Sequence, residues 1–282
     1  MTHLLIVNAD DLGLSEAITD GILEAHDCGI VTSASAVVNA PASAESITRA
    51  VAAAPRLGVG LHVNLTEGRP LSPAPSLIGP DGQFLSAAEW LRAPERFRPE
   101  DIERELGAQS DRFERLAGRR PDHLDSHQHL AGFHPALFGA FLGLARALDV
   151  PVRAPWDFLQ PARLESFCQR IRGENGGHGP SAEEVADLPR ALARLWEACP
   201  RPAPEHFEHR FYGRAATLER LVGLLEALPP GLTELMCHPG RAEPVSVGPR
   251  RDHELRILCS TAVKEAVRRS SVRLVSFAEV RT

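Results

Sequence analysis

Four short polar clusters in this sequence each come at or directly after an apolar, strand-like run. They are Asn8-Ala9-Asp10-Asp11, His62 with Asn64, Asp125-Ser126-His127-Gln128-His129, and His238-Pro239-Gly240. Carboxylates and imidazoles transfer protons and bind divalent cations. In parallel α/β folds the carboxyl ends of the strands lie on one face, so we expect the four clusters to converge although they lie far apart in the chain.

The adjacent carboxylates of Asp10 and Asp11 repel each other if both stay charged in a low-dielectric site. A divalent cation bound by one of them would relieve that repulsion and leave the other free as a general base. His62 and His127 would complete a set of two histidines and one carboxylate, with coordination positions open for water and substrate. Taken singly, an aspartate could instead cap the next helix and His62 could be a hydrogen-bonded core residue. Taken together at strand ends, the residues favour a metal site.

Several other side chains near these clusters have simpler interpretations. Ser126 lacks the Gly-x-Ser-x-Gly pattern of a nucleophile elbow, and Cys237 fits a small core residue because neighbours in a strand point to opposite faces. Asp125 could either orient a ligand histidine or accept a hydrogen bond at the strand end. Trp156 is a candidate for stacking on a sugar, although most tryptophans belong to cores.

The elements that must position these side chains are strands alternating with helices. Leu4 to Val7 is typical of a buried strand, and Ser15 can cap a helix that runs to Gly29. Repetition of this unit predicts an α/β fold: an irregular, TIM-like (β/α) barrel of parallel strands forming a single domain over residues 1–282. Loop insertions are predicted at about 66–99 and 155–180; they could cover the site or decorate the surface.

Composition excludes some classes of protein and indicates a compartment. The chain has 31 Lys plus Arg, 37 Asp plus Glu and a formal net charge of −6, so we expect no nucleic-acid partner, which would require clustered positive charge. No apolar run approaches the roughly 20 residues of a membrane span. The five scattered cysteines form no Cys-x-x-Cys pair, which favours a reducing, cytoplasmic location. A homodimer is expected only because dimers are common.

The clusters, taken with their neighbours, resemble the signature blocks of the YdjC/ChbG-type carbohydrate deacetylases, a family that includes chito-oligosaccharide deacetylases and hopanoid-associated relatives. The blocks are, in the expected order, Asn8 to Gly13, Gly60 to Leu65, Asp125 to His129 and Cys237 to Gly240. The resemblance implies a distorted (β/α) barrel that hydrolyses the N-acetyl group of an amino sugar or small oligosaccharide. It also implies one divalent metal ion, Mg or Zn foremost, with Co or Ni as further possibilities.

The resemblance also implies roles for individual residues. By position it makes Asp11, His62 and His127 the metal ligands, Asp10 the general base and His238 the general acid. Arg153 matches an arginine that the family keeps near the catalytic aspartate. One departure is Ala131, which stands where many relatives have the last histidine of a His-x-His-x-His array. Metal binding should survive this change because His127, the first of the array, is present.

Two other functions fit the same residue types. Two histidines and one carboxylate also suit ferrous iron, so an iron-dependent oxygenase or a metal lyase is an alternative. A sugar-binding relative without catalytic activity is another. The aspartate beside the candidate ligand favours hydrolysis, because it can take a proton from a metal-bound water.

Overall fold

The computed structural model describes residues 2–174, 180–181, 183–241 and 250–280. Its strands are β1 His3–Leu12, β2 Ser33–Ala36, β3 Gly58–Val63, β4 Leu124–Ser126, β5 His206–Glu208, β6 Gly231–Cys237 and β7 Val272–Leu274. Its α-helices are α1 Glu16–Asp27, α2 Ser43–Ala53, α3 Ala87–Arg92, α4 Pro99–Ala117, α5 Pro135–Leu148, α6 Trp156–Leu159, α7 Pro161–Glu174, α8 Leu188–Ala198, α9 Leu218–Glu226, α10 Arg251–Leu258 and α11 Thr261–Arg269.

The central strand β1 is apolar on both faces, as expected of a strand in a parallel sheet that is covered on both sides. Leu5 and Val7 belong to the large core. Ile6, which points the other way, packs in a smaller cluster with Val275 and Phe277. Both layers therefore hold β1 in place, and its carboxyl end carries the first polar cluster.

The strands form one parallel sheet in the order β4-β3-β2-β1-β6-β5, with β7 also paired to β1. The parallel α/β prediction is confirmed, but the TIM-like barrel is not. Within the described residues, β4 and β5 stand at opposite ends of the sheet and do not pair. Each has only three residues, and the chain between them is mainly the helices α5 to α8, so too little strand is available to close the wall. The sheet is an open, curled half-barrel.

Local signals in the sequence explain several helix boundaries. Ser15 caps α1 by accepting a hydrogen bond from the Ile18 N–H at 3.2 Å. Ser260 accepts a hydrogen bond from the Val263 N–H and starts α11, which separates this helix from α10.

Both predicted insertions contain regular structure. The stretch 66–99 holds α3 and two short 3₁₀ turns, and the stretch 155–180 holds α6 and α7. Residues 175–179 of the second insertion lie outside the described residues. In the described parts of the chain, no single helix is long and apolar enough to cross a membrane; the pair His127–Phe133 and α5 reaches that length only together, across a bend of 106°.

Close packing beneath the polar clusters allows a test of the fold. A Cβ added at Gly60 in β3 would lie 2.4 Å from ring atoms of His123, which cannot retreat because it is buried and stacked on Phe277 at 3.9 Å. We expect Gly60→Ala to lower the free energy of unfolding by about 1–3 kcal/mol, as overpacking does. Urea denaturation measures this.

Gly107→Ala is the matched control for that substitution. Gly107 lies inside α4, and a Cβ there would meet nothing within 4 Å. Alanine is favoured over glycine in a helix by about 0.5–1 kcal/mol, so this variant should be slightly stabilised. Equal effects of the two substitutions would contradict the packing of His123 against β3.

Candidate active site

The structure brings the four polar clusters to one edge of the half-barrel. Asp10 and Asp11 lie at the end of β1, His62 lies in β3, His127 follows β4, and His238 follows β6. All of these side chains are buried. The parallel direction of the strands explains the convergence, because it places all carboxyl ends on the same side.

Both carboxylates of the aspartate pair face the same imidazole. His62 Nε2 lies 3.5 Å from Asp11 Oδ1 and 4.0 Å from Asp10 Oδ2. In a regular strand, neighbouring side chains would point to opposite faces. Here the pairing register of β1 shifts after Ala9, and Asp11 has a left-handed φ of 75°. This irregularity turns the second carboxylate towards the site, and strained backbone of this kind clusters at functional positions.

Asp11, His62 and His127 each offer one ligand atom, and these atoms lie within 4.8 Å of one another. Asp11 Oδ1 faces both imidazoles, because His127 Nδ1 also lies close to it, at 3.1 Å. It is buried and has no hydrogen-bond partner, while Asp11 Oδ2 accepts a hydrogen bond from Arg251 at 2.5 Å. A buried carboxylate oxygen facing two imidazole nitrogens is a donor set suited to a divalent cation. The residues present therefore fit such an ion.

Asp10, His62 and Asp125 form a second group of the same kind, but a cation already occupies it. Arg153 donates to both carboxylate oxygens of Asp10, at 2.8 and 2.6 Å, and lies 2.9 Å from Asp125 Oδ2. Because the guanidinium neutralises these carboxylates, this second group fits a divalent ion less well than the Asp11 group does.

Arg153 keeps Asp10 ionised. Burial alone would raise the pKa of Asp10, but the paired guanidinium outweighs burial and holds this pKa well below its ordinary value. The same guanidinium donates from Nε to Glu234 at 2.8 Å. Burial nevertheless raises the pKa of Glu234 to about 7. Asp10 is thus a charged, oriented carboxylate that is not itself in the Asp11 group.

Asp125 orients the imidazole of His62. Its Oδ1 lies 2.7 Å from His62 Nδ1, which leaves Nε2 facing the aspartate pair. Of the two roles open for Asp125, this geometry fits the support of a ligand histidine. The pKa of His62 is lowered by burial but raised more by Asp125 and Asp10, so that it lies above its ordinary value.

His238 faces Asp10 from the opposite side of the site. Its Nε2 lies 3.8 Å from Asp10 Oδ2, and its backbone N–H donates to the buried Glu254 at 2.6 Å. The ring of Tyr212 meets the imidazole edge-on at 5.1 Å. Burial lowers the pKa of His238 to about 4 despite the nearby carboxylates.

The residues given simpler interpretations have structural contacts. Ser126 Oγ accepts a hydrogen bond from the Ala131 N–H at 3.0 Å. Cys237 is fully buried, and burial raises its pKa far above the ordinary value, which is unsuited to a nucleophile. Trp156 packs edge-on against Trp196 and donates to the Pro204 carbonyl at 2.8 Å. His129 lies among the rings of Phe158, Phe167 and Phe207.

Among the residues of the site that were not found from the sequence are Glu234, Arg251 and Glu254. Glu234 could have been, because a charged residue inside the apolar run of β6 needs a buried partner. Arg251 and Glu254 lie on α10, and only the tertiary structure shows that this helix packs against the site.

Known proteins are similar to this chain over nearly its whole length. The family model described as YdjC-like protein matches residues 4–269. The chain is 35% identical to a carbohydrate deacetylase of Brevibacillus brevis, covering 98% of this chain and 99% of that protein. It is 32% identical to a chitooligosaccharide deacetylase of Klebsiella pneumoniae, covering 99% and 100%.

The fold is similar to that of a crystal structure from Enterococcus faecalis V583, described as a candidate cellobiose-phosphate cleavage protein. The TM-score is 0.78 at 29% identity, and the match covers 99% of each chain. Because the family model spans nearly all of the sequence and the relatives match over their full length, the chain belongs to the YdjC-like protein family.

Proposed function

We propose that the protein is a metal-dependent hydrolase that removes the N-acetyl group from an N-acetylated amino sugar or chito-oligosaccharide. The chain is an enzyme of the carbohydrate deacetylase type, since its full-length relatives bear that name. The observation that carries the proposal is the aspartate pair, in which one carboxylate belongs to a buried three-residue candidate ligand set and its neighbour, held by Arg153, lies beside that set.

Asp11, His62 and His127 would hold one divalent ion. When bound there, the ion would polarise the acetamide carbonyl and lower the pKa of a water ligand. Two imidazole nitrogens favour Zn²⁺, Co²⁺ or Ni²⁺ over Mg²⁺, because Mg²⁺ prefers oxygen ligands. We therefore expect the site to bind Zn²⁺ more tightly than Mg²⁺.

Asp10 and His238 would transfer the protons. Asp10, kept ionised by Arg153, accepts a proton from the water as it attacks the acetyl carbon. His238 then donates a proton to the departing sugar nitrogen. As the C–N bond breaks, the imidazole gives up a proton that it takes from Asp10, which has received it from the water and whose Oδ2 lies 3.8 Å from His238 Nε2. Arg153 acts by orienting Asp10.

Two broader features are part of the proposal. All five cysteines are free thiols, which fits a cytoplasmic location. The oxygenase, lyase and non-catalytic alternatives receive no support from the named relatives. A homodimer and a single domain over residues 1–282 stay predictions from the sequence.

Acetate release tests the proposed reaction. The purified protein, supplied with Zn²⁺ or Co²⁺, should release one acetate per deacetylated residue from N-acetylated chito-oligosaccharides, and chelation of the metal should abolish the release. Acetylated xylan oligosaccharides serve as the comparison substrate, because they carry esters and no amide. If the metal-loaded protein released no acetate from a broad panel of N-acetylated sugars, the proposed function would be wrong.

A further inference from the structure

Each of the two candidate ligand histidines is placed between two carboxylates. His62 has Nε2 towards Asp11 and Nδ1 at 2.7 Å from Asp125. His127 has Nδ1 at 3.1 Å from Asp11 and Nε2 at 3.3 Å from Oε1 of Glu67. Glu67 therefore faces the nitrogen of His127 that points away from Asp11, just as Asp125 faces the corresponding nitrogen of His62. It belongs to the stretch 66–99, for which the sequence leaves open whether it covers the site or decorates the surface.

The backbone of Glu67 is held in place by groups other than His127. Its N–H donates to Asn64 Oδ1 at 3.1 Å. Its carbonyl accepts hydrogen bonds from the side-chain amides of Asn39 and Asn64, each at 3.0 Å. These bonds fix the start of the 66–99 stretch against β3, so the carboxylate stands beside His127 without depending on that contact.

A strained turn completes the arrangement. Gln128 and His129 have left-handed φ values of 53° and 54°, a conformation that costs non-glycine residues roughly 1–2 kcal/mol each. The turn follows His127 directly, and the Gln128 side chain donates from Nε2 to Glu67 Oε1 at 3.1 Å. Such strain persists where surrounding contacts over-determine the backbone, and here one of those contacts is Glu67.

We propose that Glu67 is a positioning residue for the metal site: its Oε1 lies 3.3 Å from His127 Nε2, and by taking the proton of that nitrogen as a hydrogen bond when the ion is bound it selects the tautomer whose Nδ1 lone pair faces Asp11 and the ion. This inference rests on the proposed metal site. Carboxylate partners of ligating histidines fix the ring orientation and the tautomer, and their loss typically weakens metal binding by about 10- to 100-fold. The first residues of the 66–99 stretch would thus support the metal ligands.

Metal affinity, measured without substrate, tests this role. We expect Glu67→Gln and Glu67→Ala to weaken Zn²⁺ binding by about 10- to 100-fold in competition with a chromophoric chelator. The amide of the glutamine can donate to His127 Nε2, which favours the wrong tautomer. The absorption spectrum of the Co²⁺ form should also change, because the imidazole is no longer held in one orientation. Glu95→Gln, an exposed charge change in the same stretch, should leave both measurements at wild-type values.

The outcomes separate this inference from the metal site itself. The side chain of Glu67 is 46% exposed, so its variants should fold normally. If wild type binds Zn²⁺ and both Glu67 variants bind it equally tightly, the positioning role is wrong while the metal site stands. If wild type, Glu95→Gln and both Glu67 variants all fail to bind Zn²⁺, the metal site is wrong and the inference falls with it.

Discussion

Replacing Asp10 with asparagine should lower kcat for acetate release by about 10²- to 10⁴-fold, the usual contribution of a positioned acid or base. Asparagine keeps the size of the side chain but cannot accept the proton of the attacking water. Metal affinity should change little, because the group that fits the ion contains Asp11, His62 and His127 but not Asp10. Steady-state acetate assays and chelator competition on the same preparation measure the two effects.

The Asp10 result is informative because substitution of Asp10 is expected to lower activity and keep the metal, whereas substitution of its neighbour Asp11 is expected to lose the metal. Asp11→Asn is the matched variant: it should abolish tight metal binding, and activity should fall with it. If Asp10→Asn left acetate release unchanged, Asp10 would not be the base. If Asp10→Asn lost the metal and Asp11→Asn kept it, the two roles would be exchanged.

Replacing Arg153 with glutamine should lower the free energy of unfolding by about 3–5 kcal/mol, as expected when one partner of a buried charge pair is removed. Arg153 contacts three buried carboxylates, those of Asp10, Asp125 and Glu234. Without the guanidinium these groups repel one another in a low-dielectric interior, or must take up protons in order to stay buried. Urea or thermal denaturation at pH 7 measures the loss.

Arg256→Gln is the matched control for the Arg153 variant. Arg256 pairs at 2.9 Å with Asp252, and both side chains are exposed; exposed pairs contribute about 0–1 kcal/mol. A small effect at Arg256 and a large one at Arg153 are expected. Equal, small effects at both positions would show that the three carboxylates do not depend on Arg153 for their burial.

The sequence predicts the candidate site better than it predicts the closure of the fold. Polar residues at strand ends indicate the site because parallel strands must bring their carboxyl ends together, wherever the residues lie in the chain. Closure of the barrel depends instead on the length and pairing of the edge strands. The three-residue β4 and β5 give almost no periodic signal.

The supporting residues show the same limit. Four residues of the site lie in sequence motifs whose other polar members also indicate a site: Asp10, Asp11, His62 and His127. Glu67, Arg251 and Glu254 reach the site from a proline-rich stretch and from α10, where nothing local marks them. The bulge that turns Asp11 towards His62 is equally invisible, because alternation along β1 predicts that Asp10 and Asp11 point apart.

We propose that Asp11, His62 and His127 bind one catalytic divalent ion. An anomalous difference map from crystals of the Zn²⁺- or Co²⁺-loaded protein, recorded at the absorption edge of that metal, tests it most directly. We predict one strong peak at about 2.0–2.2 Å from Asp11 Oδ1, His62 Nε2 and His127 Nδ1, with Asp10 outside the coordination shell. A peak bound by other residues, or no peak at this position in fully active protein, would contradict the claim.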